Sequence, residues 1–311
     1  MKLKHRGRLA QLGIYLGKYL RMFIFQNDWK VLPMGAIIAG VVTVVVGSNL
    51  FVTQEGTVMG AFALVCVCIW NGFFNSIQVV CRERAILKRE HRAGLHTSSY
   101  IGAHMIYQFL LCLAQTGVTL FICSVAKVQF PASGIITPWG IVDIGITIFL
   151  VTYSADIMAL MISCLVRTTT TAMTVMPFML MFQLIFSGGF FNLSGFAEKI
   201  EVLTVSHWGL KSLCAVGKYN ELPMVTLWNT IFKFKDIEIQ GKKPLLELIR
   251  YAQNNGYRDQ FLLWSGTYNQ NEAYAATVQN VQSCWNAMLV IILICMLVSI
   301  FVLRLVDRDK R

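Results

Sequence analysis

Three side-chain amides, Asn71, Asn75 and Gln78, recur at i, i+4 and i+7 in a stretch otherwise made of apolar and small residues. On a helix that spacing puts them on one stripe. Amides facing hydrocarbon cost free energy, so the stripe must face protein or water. It either makes interhelical hydrogen bonds, each contributing about 0.6–2 kcal/mol, or lines a cavity. Asp156 sits in equally apolar surroundings beside Thr152 and Tyr153. A carboxylate there either takes part in transfer of an ion or proton, or is held in a static pair with Arg or a backbone group. The third chemical feature is the run from Val80 to Gly94, where Arg82, Glu83, Arg84, Lys88, Arg89 and Glu90 lie directly between two apolar segments. Hydrated charges of both signs can pair across a moving interface without deep burial. The run reads as a short helix on which a soluble partner can push, the alternative being a merely solvated loop.

Catalytic groups are missing from the sequence. No Gly-x-x-x-x-Gly-Lys-Ser/Thr loop is present; Gly13 and Gly17-Lys18-Tyr19 have the wrong spacing, and Tyr stands where a hydroxyl would hold magnesium. The five histidines form no His-Glu-x-x-His pattern, and His91 and His96 are five apart, poorly placed to share a metal on one helical face. Ser187-Gly188-Gly189 lacks the flanks of a nucleophile elbow. The expectation is a chain with no catalytic residue, no metal site and no cofactor of its own.

The elements that carry these residues follow from length and apolarity. A helix needs roughly 20 apolar residues to cross the hydrocarbon core. Thr57 to Val80 and Ile101 to Ala126 contain no Asp, Glu, Lys or Arg. Val31 to Phe51, Trp139 to Val166, Thr168 to Phe191 and Trp285 to Leu303 meet the same length criterion. With 56% hydrophobic residues and a mean hydropathy of +0.58, too little polar surface remains to cover six such helices in a water-soluble fold. The expected fold is therefore an all-α membrane protein with six transmembrane helices.

Orientation follows the basic residues. Lys2, Lys4, Arg6, Arg8, Lys18, Arg21 and Lys30 precede span one, the Arg82 to Arg92 cluster follows span two, Arg167 divides spans four and five, and Arg304, Arg308, Lys310 and Arg311 close the chain. Six spans place all four groups on one side, so a multi-pass protein of the cell membrane with both termini cytoplasmic is expected. The net charge of +11 is then topology and contact with anionic lipid, and no basic cluster interleaved with aromatics points to nucleic acid. Residues 1–30 lack a signal-peptide h-region. Leu9, Leu12, Leu16, Tyr19, Leu20 and Phe23 instead recur at helical spacing, which predicts an N-terminal interfacial connecting helix.

The expected units are that helix (1–30), spans one to five (31–191) with a coupling helix at 82–94, an extracytoplasmic segment of re-entrant helices and cap (192–284), and span six with a cytoplasmic tail (285–311). Pro177 loosens span five by removing a backbone hydrogen bond, and Gly188-Gly189 allow a break at the outer interface. The amphipathic stretch from Phe196 to Tyr219 is too short in its apolar runs to cross. Leu222 to Asn280 reads as a small helical cap without a core of its own. Of the nine cysteines, only Cys214 and Cys284 fall in the outer, oxidising segment. A disulfide between them would contribute on the order of 4 kcal/mol by loop entropy.

These features together resemble the permease domains of the G subfamily of ATP-binding cassette transporters, within the type-2 exporters. The likeness rests on the interfacial helix, on Glu83 to Glu90 followed by Gly94 and Ser98-Ser99-Tyr100, on Ile185-Phe186-Ser187-Gly188 with Asn192-Leu193, and on a last span ending in Leu303-Arg304-Leu305. The resemblance implies two six-span units, a second copy of this chain or a homologous permease, facing each other across a cavity. It places Cys68, Asn71 and Asn75 from span two and Pro177, Met181 and Leu184 from span five on that cavity. It places the outer plug at Gly189 and Phe190, with glycine where the family carries a bulky residue. It also implies a separate ATPase subunit, binding ATP and Mg, docked on Arg82, Glu83, Arg84, Lys88, Arg89 and Glu90. The cargo class it implies is a hydrophobic or amphipathic lipid, drug or peptide, moved outward. The competing reading is a secondary, ion-coupled transporter built on Asp156; inverted repeats, common in such carriers, are not visible.

Overall fold

The structure, a computed structural model, describes residues 7–25, 29, 31–189, 195–239 and 241–305. Among these the chain is all-α, with a single isolated bridge between Ile239 and Lys242. A helix that is apolar all round must be buried on every side, and α6 (Gly140–Leu165) is that helix: nearly every residue from Gly140 to Cys164 is buried. Around it pack α3 (Gln54–Ser76), α5 (Thr97–Val125), α9 (Val205–Val216) and α13 (Val278–Arg304).

Small residues set how closely these helices approach. At Gly72 of α3 an added Cβ would lie 2.4 Å from the Thr152 carbonyl oxygen of α6. Another helix, α2 (Val31–Val46), buries Gly35, Ala39 and Thr43 against α3 and α5 and exposes Met34, Ile37, Val41, Val44 and Val45. Close packing through small residues with bulky apolar residues outside suits a lipid surround, where burial of apolar surface does not drive helix association. The pattern repeats in α13, which buries Val281, Cys284, Met288, Ile292, Cys295, Ser299 and Leu303 and exposes Leu289, Val290, Leu293, Ile294, Leu297 and Phe301.

Among the described residues four helical stretches are long and apolar enough to cross a membrane: Gln54–Arg92, Thr97–Val125, Gly140–Leu165 and Val278–Arg304. The other two expected spans are shorter than the sequence suggests. The 16 residues of α2 and the 17 of α7 (Thr169–Ile185) are apolar, but reach only about 24–26 Å at ~1.5 Å per residue. After α2 the chain turns through residues 47–53, with Phe51 at a φ of 60°, and Thr53 caps α3 by accepting from the Gly56 N–H at 3.1 Å. Past α7 it breaks at Gly188, whose φ of +72° favours glycine.

The first helix, α1 (Arg8–Phe25), packs Leu12, Tyr15, Leu16, Tyr19 and Met22 on the core. Leu9 and Leu20, expected on the same apolar face, are 85% and 41% exposed. Tyr15 meets Tyr100 edge-on at 5.6 Å and Tyr19 stacks on His104 at 4.0 Å. The helix therefore buries Leu12 and Leu16 together with its aromatic edge, and leaves Leu9 and Leu20 outside.

Beyond α7 come α8 (Phe196–Glu201) and then α9, whose Ser206 N–H and hydroxyl bond the Gln183 side-chain and backbone oxygens. The cap consists of α10 (Thr226–Lys233), α11 (Pro244–Asn254) and α12 (Arg258–Tyr268). Contrary to expectation it has a small core: Trp228, Ile249 and Leu262 form a cluster separate from the main one, joined by Ile231, Ala252 and Phe261. Amphipathic helices of 8 to 11 residues suffice because three of them share one apolar centre. Two contacts at the start of α3 hold the cap. Glu55 accepts the Thr226 N–H at 2.8 Å at the N-terminus of α10, where the helix dipole favours an anion, and Gln54 donates to the Gly266 carbonyl at 2.9 Å.

The expected disulfide is not formed. All nine cysteines are free, and Cys284 belongs to α13 instead of the outer connection; it and Cys214 are fully buried.

Candidate functional site

The charged run folds as α4 (Val79–Arg92), starting three residues earlier than expected and separated from α3 by a turn at 77–78. Its first turn is capped by Ser163 of α6, whose hydroxyl accepts the Val80 and Cys81 N–H groups at 3.1 and 3.2 Å. Arg84 returns the contact by donating to the Cys164 and Val166 carbonyls at 2.9 and 2.8 Å, so its guanidinium closes the C-terminal end of α6. Neither anion of α4 faces away from the protein. Glu83 pairs with Lys18 of α1 at 2.7 Å and accepts from the Tyr100 hydroxyl at 3.3 Å, while Glu90 accepts from the Tyr15 hydroxyl. Gln11 of α1 completes the junction, donating to the Gly94 carbonyl at 3.1 Å and accepting the His96 N–H at 2.9 Å. The outward face of α4 is Arg82, Ala85, Ile86 and Arg89, spaced i, i+3, i+4 and i+7 and all exposed; Lys88 is half-buried. The helix is thus tied to α1, α5 and α6 by its acidic side and Arg84, and presents a stripe with two arginines outward.

Inward from α4 the amide stripe divides. Asn75 exchanges two hydrogen bonds with Gln115 of α5, at 2.9 and 3.0 Å. Asn71 is buried and its amide lies against Gly35, where a Cβ would come within 3.2 Å. Asn75 and Gln78 line a cavity of about 470 Å³ bounded by α1, α3, α4 and α5, with Met173 of α7 at its edge. Both readings of the stripe therefore apply, one helix–helix contact and one cavity wall, with Asn75 in each. Asp156 lies one layer away on α6, fully buried; the Cys112 thiol donates to its Oδ2 at 3.4 Å, and Ser76 flanks the same carboxylate.

The residues assigned to the inter-subunit cavity are not brought together within one chain. Cys68 is buried beside Thr152 of α6. Pro177 and Met181 are exposed on α7, Met181 by 57%. Leu184 shares a narrow crevice with Cys66, Ile69 and Trp70, so these residues form the side of α3 that meets α7. After α7, Gly189 packs so closely that a Cβ would lie 2.9 Å from Phe62 and 3.0 Å from Leu210. Phe190 lies outside the described residues.

Several working residues escaped the sequence reading. His104, Gln108, Cys112, Gln115 and Thr119 are buried at intervals of three and four along α5, as polar a stripe as the one on α3. The rule that singled out Asn71, Asn75 and Gln78 would have found them. Tyr15, Tyr19 and Lys18 carry no such signal, because nothing in an amphipathic helix says which neighbour its aromatic edge will meet. Outside the bundle, His207 sits 3.6 Å from Glu201, and burial, followed by the charge of Lys211, holds its imidazole down at about 4. Among the described residues no group of three or more His, Cys, Asp or Glu is placed to hold a metal ion.

Over 149 residues, 47% of this chain, the sequence is 22% identical to the ABC transporter ATP-binding/permease protein Rv1747 of Mycobacterium tuberculosis. The shared stretch is 17% of that relative's length. Residues 20–205, more than half of the chain and including α4 and its contacts on α5 and α6, match the ABC-2 type transporter family, and the chain belongs to that family of ABC transporter permeases.

Proposed function

We propose that this chain is the permease subunit of an ATP-driven exporter that moves a hydrophobic or amphipathic molecule, such as a lipid, drug or peptide, out of the cytoplasm or inner leaflet. The two shorter apolar helices α2 and α7 join the four long ones as spans, giving six, with α1 at the cytoplasmic interface and both termini on that side. Two copies, or this chain and a homologous permease, face each other across the membrane. An ATP-binding cassette ATPase on a separate subunit carries ATP and magnesium.

The observation that carries this reading is the mounting of α4. A charged helix that caps, and is capped by, the end of the most buried helix of the bundle can pass a push directly into α6. Its exposed Arg82 and Arg89 suit an acidic groove, where charge complementarity favours docking and fast association more than raw affinity. Co-expression with a candidate ATPase, co-purification, and measurement of ATP hydrolysis across a lipid and drug panel test it. Ala85→Asp combined with Arg89→Glu should reduce co-purified ATPase at least tenfold while the permease elutes and melts as wild type. Undiminished co-purification would remove α4 as the docking surface.

The cavity residues Cys68, Asn71, Asn75, Pro177, Met181 and Leu184 and the plug at Gly189 and Phe190 keep their proposed roles for the assembled pair. The exposure of Pro177 and Met181 in a single chain supports a face left for a second copy. Asp156 separates the ATP-driven from the ion-coupled reading. With its carboxyl group held by Cys112 and Ser76, Asp156→Asn should leave ATP-dependent export within about threefold of wild type, since the amide oxygen can still accept the hydrogen bond from Cys112. Export that is lost in Asp156→Asn and driven by an ion gradient in the wild type would favour the carrier.

A further inference from the structure

We propose that the cavity between α1, α3, α4 and α5 is a binding site, contained in one chain, for an uncharged amphiphile whose head both donates and accepts hydrogen bonds. Its volume of about 470 Å³ falls within the ~300–1,000 Å³ range of small-molecule sites. Exposed Phe74 and Arg82 stand at its mouth, and His104 and Gln108, each 1% exposed, at its buried end.

Four polar atoms of the lining residues have no protein partner among the described residues: the Tyr19 hydroxyl oxygen, both ring nitrogens of His104 and Oε1 of Gln108. Each such atom costs about 1–3 kcal/mol when left unsatisfied, and folded proteins pair the great majority of them. Their orientation is constrained. The Gln108 amide nitrogen donates to Ser76 at 2.8 Å, which commits the other end of the amide to an acceptor role, and Tyr19 stacks on the His104 ring at 4.0 Å. A neutral imidazole offers one donor and one acceptor. Gln108 and His104 together therefore ask for two donors and one acceptor, with the Tyr19 hydroxyl open to one more; a diol or a primary amide supplies that set, whereas a single hydroxyl, with one O–H, does not.

Charge argues against an ion at the buried end. Glu83, the anion in the lining, is already paired with Lys18, and the remaining lining at the buried end is apolar or aromatic: Ile77, Tyr107 and Leu111. An unpaired charge carried into such a place is strongly disfavoured. The same apolar walls suit an alkyl chain, and a lining that is only wetted would not need them.

The inference rests on the permease reading only in setting the cavity at the cytoplasmic side; binding is measured without any ATPase, so either can fail alone. The full chain in detergent micelles is titrated with 1-oleoylglycerol, oleamide and oleate, and retained molecules are counted by native mass spectrometry. Wild type should keep one 1-oleoylglycerol or oleamide per chain, the tighter of the two identifying a diol or amide head, and should bind oleate at least tenfold more weakly. Gln108→Leu should weaken the neutral ligands at least tenfold. Because Gln108 also bonds Ser76, Gln78→Trp supplies a second variant: Gln78 is half-exposed and makes no cap bond, so the indole should fill the cavity and abolish binding with the melting temperature unchanged. Equal binding of oleate, or wild-type binding in a folded Gln78→Trp, would overturn the assignment.

Discussion

Gly72→Val should leave no recoverable folded protein. The Cβ it introduces lies 2.4 Å from the Thr152 carbonyl oxygen and 2.8 Å from the Asp156 nitrogen, both backbone atoms of α6. A side chain in the way can rotate; a helix backbone can yield only by moving the helix. Overpacking in a close-packed core costs about 1–3 kcal/mol, occasionally more, and rigid neighbours on the most buried helix put this site at the upper end. Gly72→Ala adds the same first atom and should already lower the melting temperature by several degrees. Gly117→Val serves as the control, because nothing lies within 4 Å of the Cβ that would be added there on α5. Membrane expression followed by size-exclusion chromatography should give a sharp peak for Gly117→Val and aggregate for Gly72→Val. A sharp peak with wild-type melting for Gly72→Val would mean that α3 and α6 do not cross here.

Why Gly72 has to be glycine was not legible in the sequence, although Asn71, the residue just before it, drew attention to the same helix. Periodicity reports which residues share a face; it does not report which helix that face meets. The amides on α3 were readable as non-lipid positions, but Gln115 as the partner of Asn75 and Gly35 as the neighbour of Asn71 depend on how α2, α3 and α5 are arranged. The same gap explains the cap. Trp228, Ile249 and Leu262 come from three helices, each too short to announce a core, and only their convergence makes one. Helix lengths failed for another reason. Residues free of charge run on past Val46 and past Ile185, whereas the helices give way there to turns that go on to hold Phe51 and Gly188 in left-handed backbone conformations.

The charges of α4 show the limit most sharply, and they carry the second large effect. Glu83 and Glu90 read as partners for an ATPase, yet both turn inward to Lys18, Tyr100 and Tyr15. Glu83→Lys should therefore act on the junction between α1 and α4 and leave the outward arginine stripe intact. Lys18 is 37% exposed and Glu83 15%, so the ion pair is partly solvated and its loss should cost folding no more than about 1 kcal/mol. The reversed charge would repel Lys18 and face the Tyr100 hydroxyl with no acceptor, so α4 should pivot away from α1 while its contacts to α6 persist. Under the proposed function, ATPase should still co-purify and hydrolyse ATP, and transport should fall below about a tenth of wild type, a loss of more than ~1.4 kcal/mol in coupling. Restoring the pair in reverse, Lys18→Glu with Glu83→Lys, should recover a substantial part of transport, whereas a defect in docking would not respond to a change on α1. Wild-type transport in Glu83→Lys, or failure of the swap with the protein folded and the ATPase bound, would show that the α1–α4 junction holds the bundle together without transmitting anything through it.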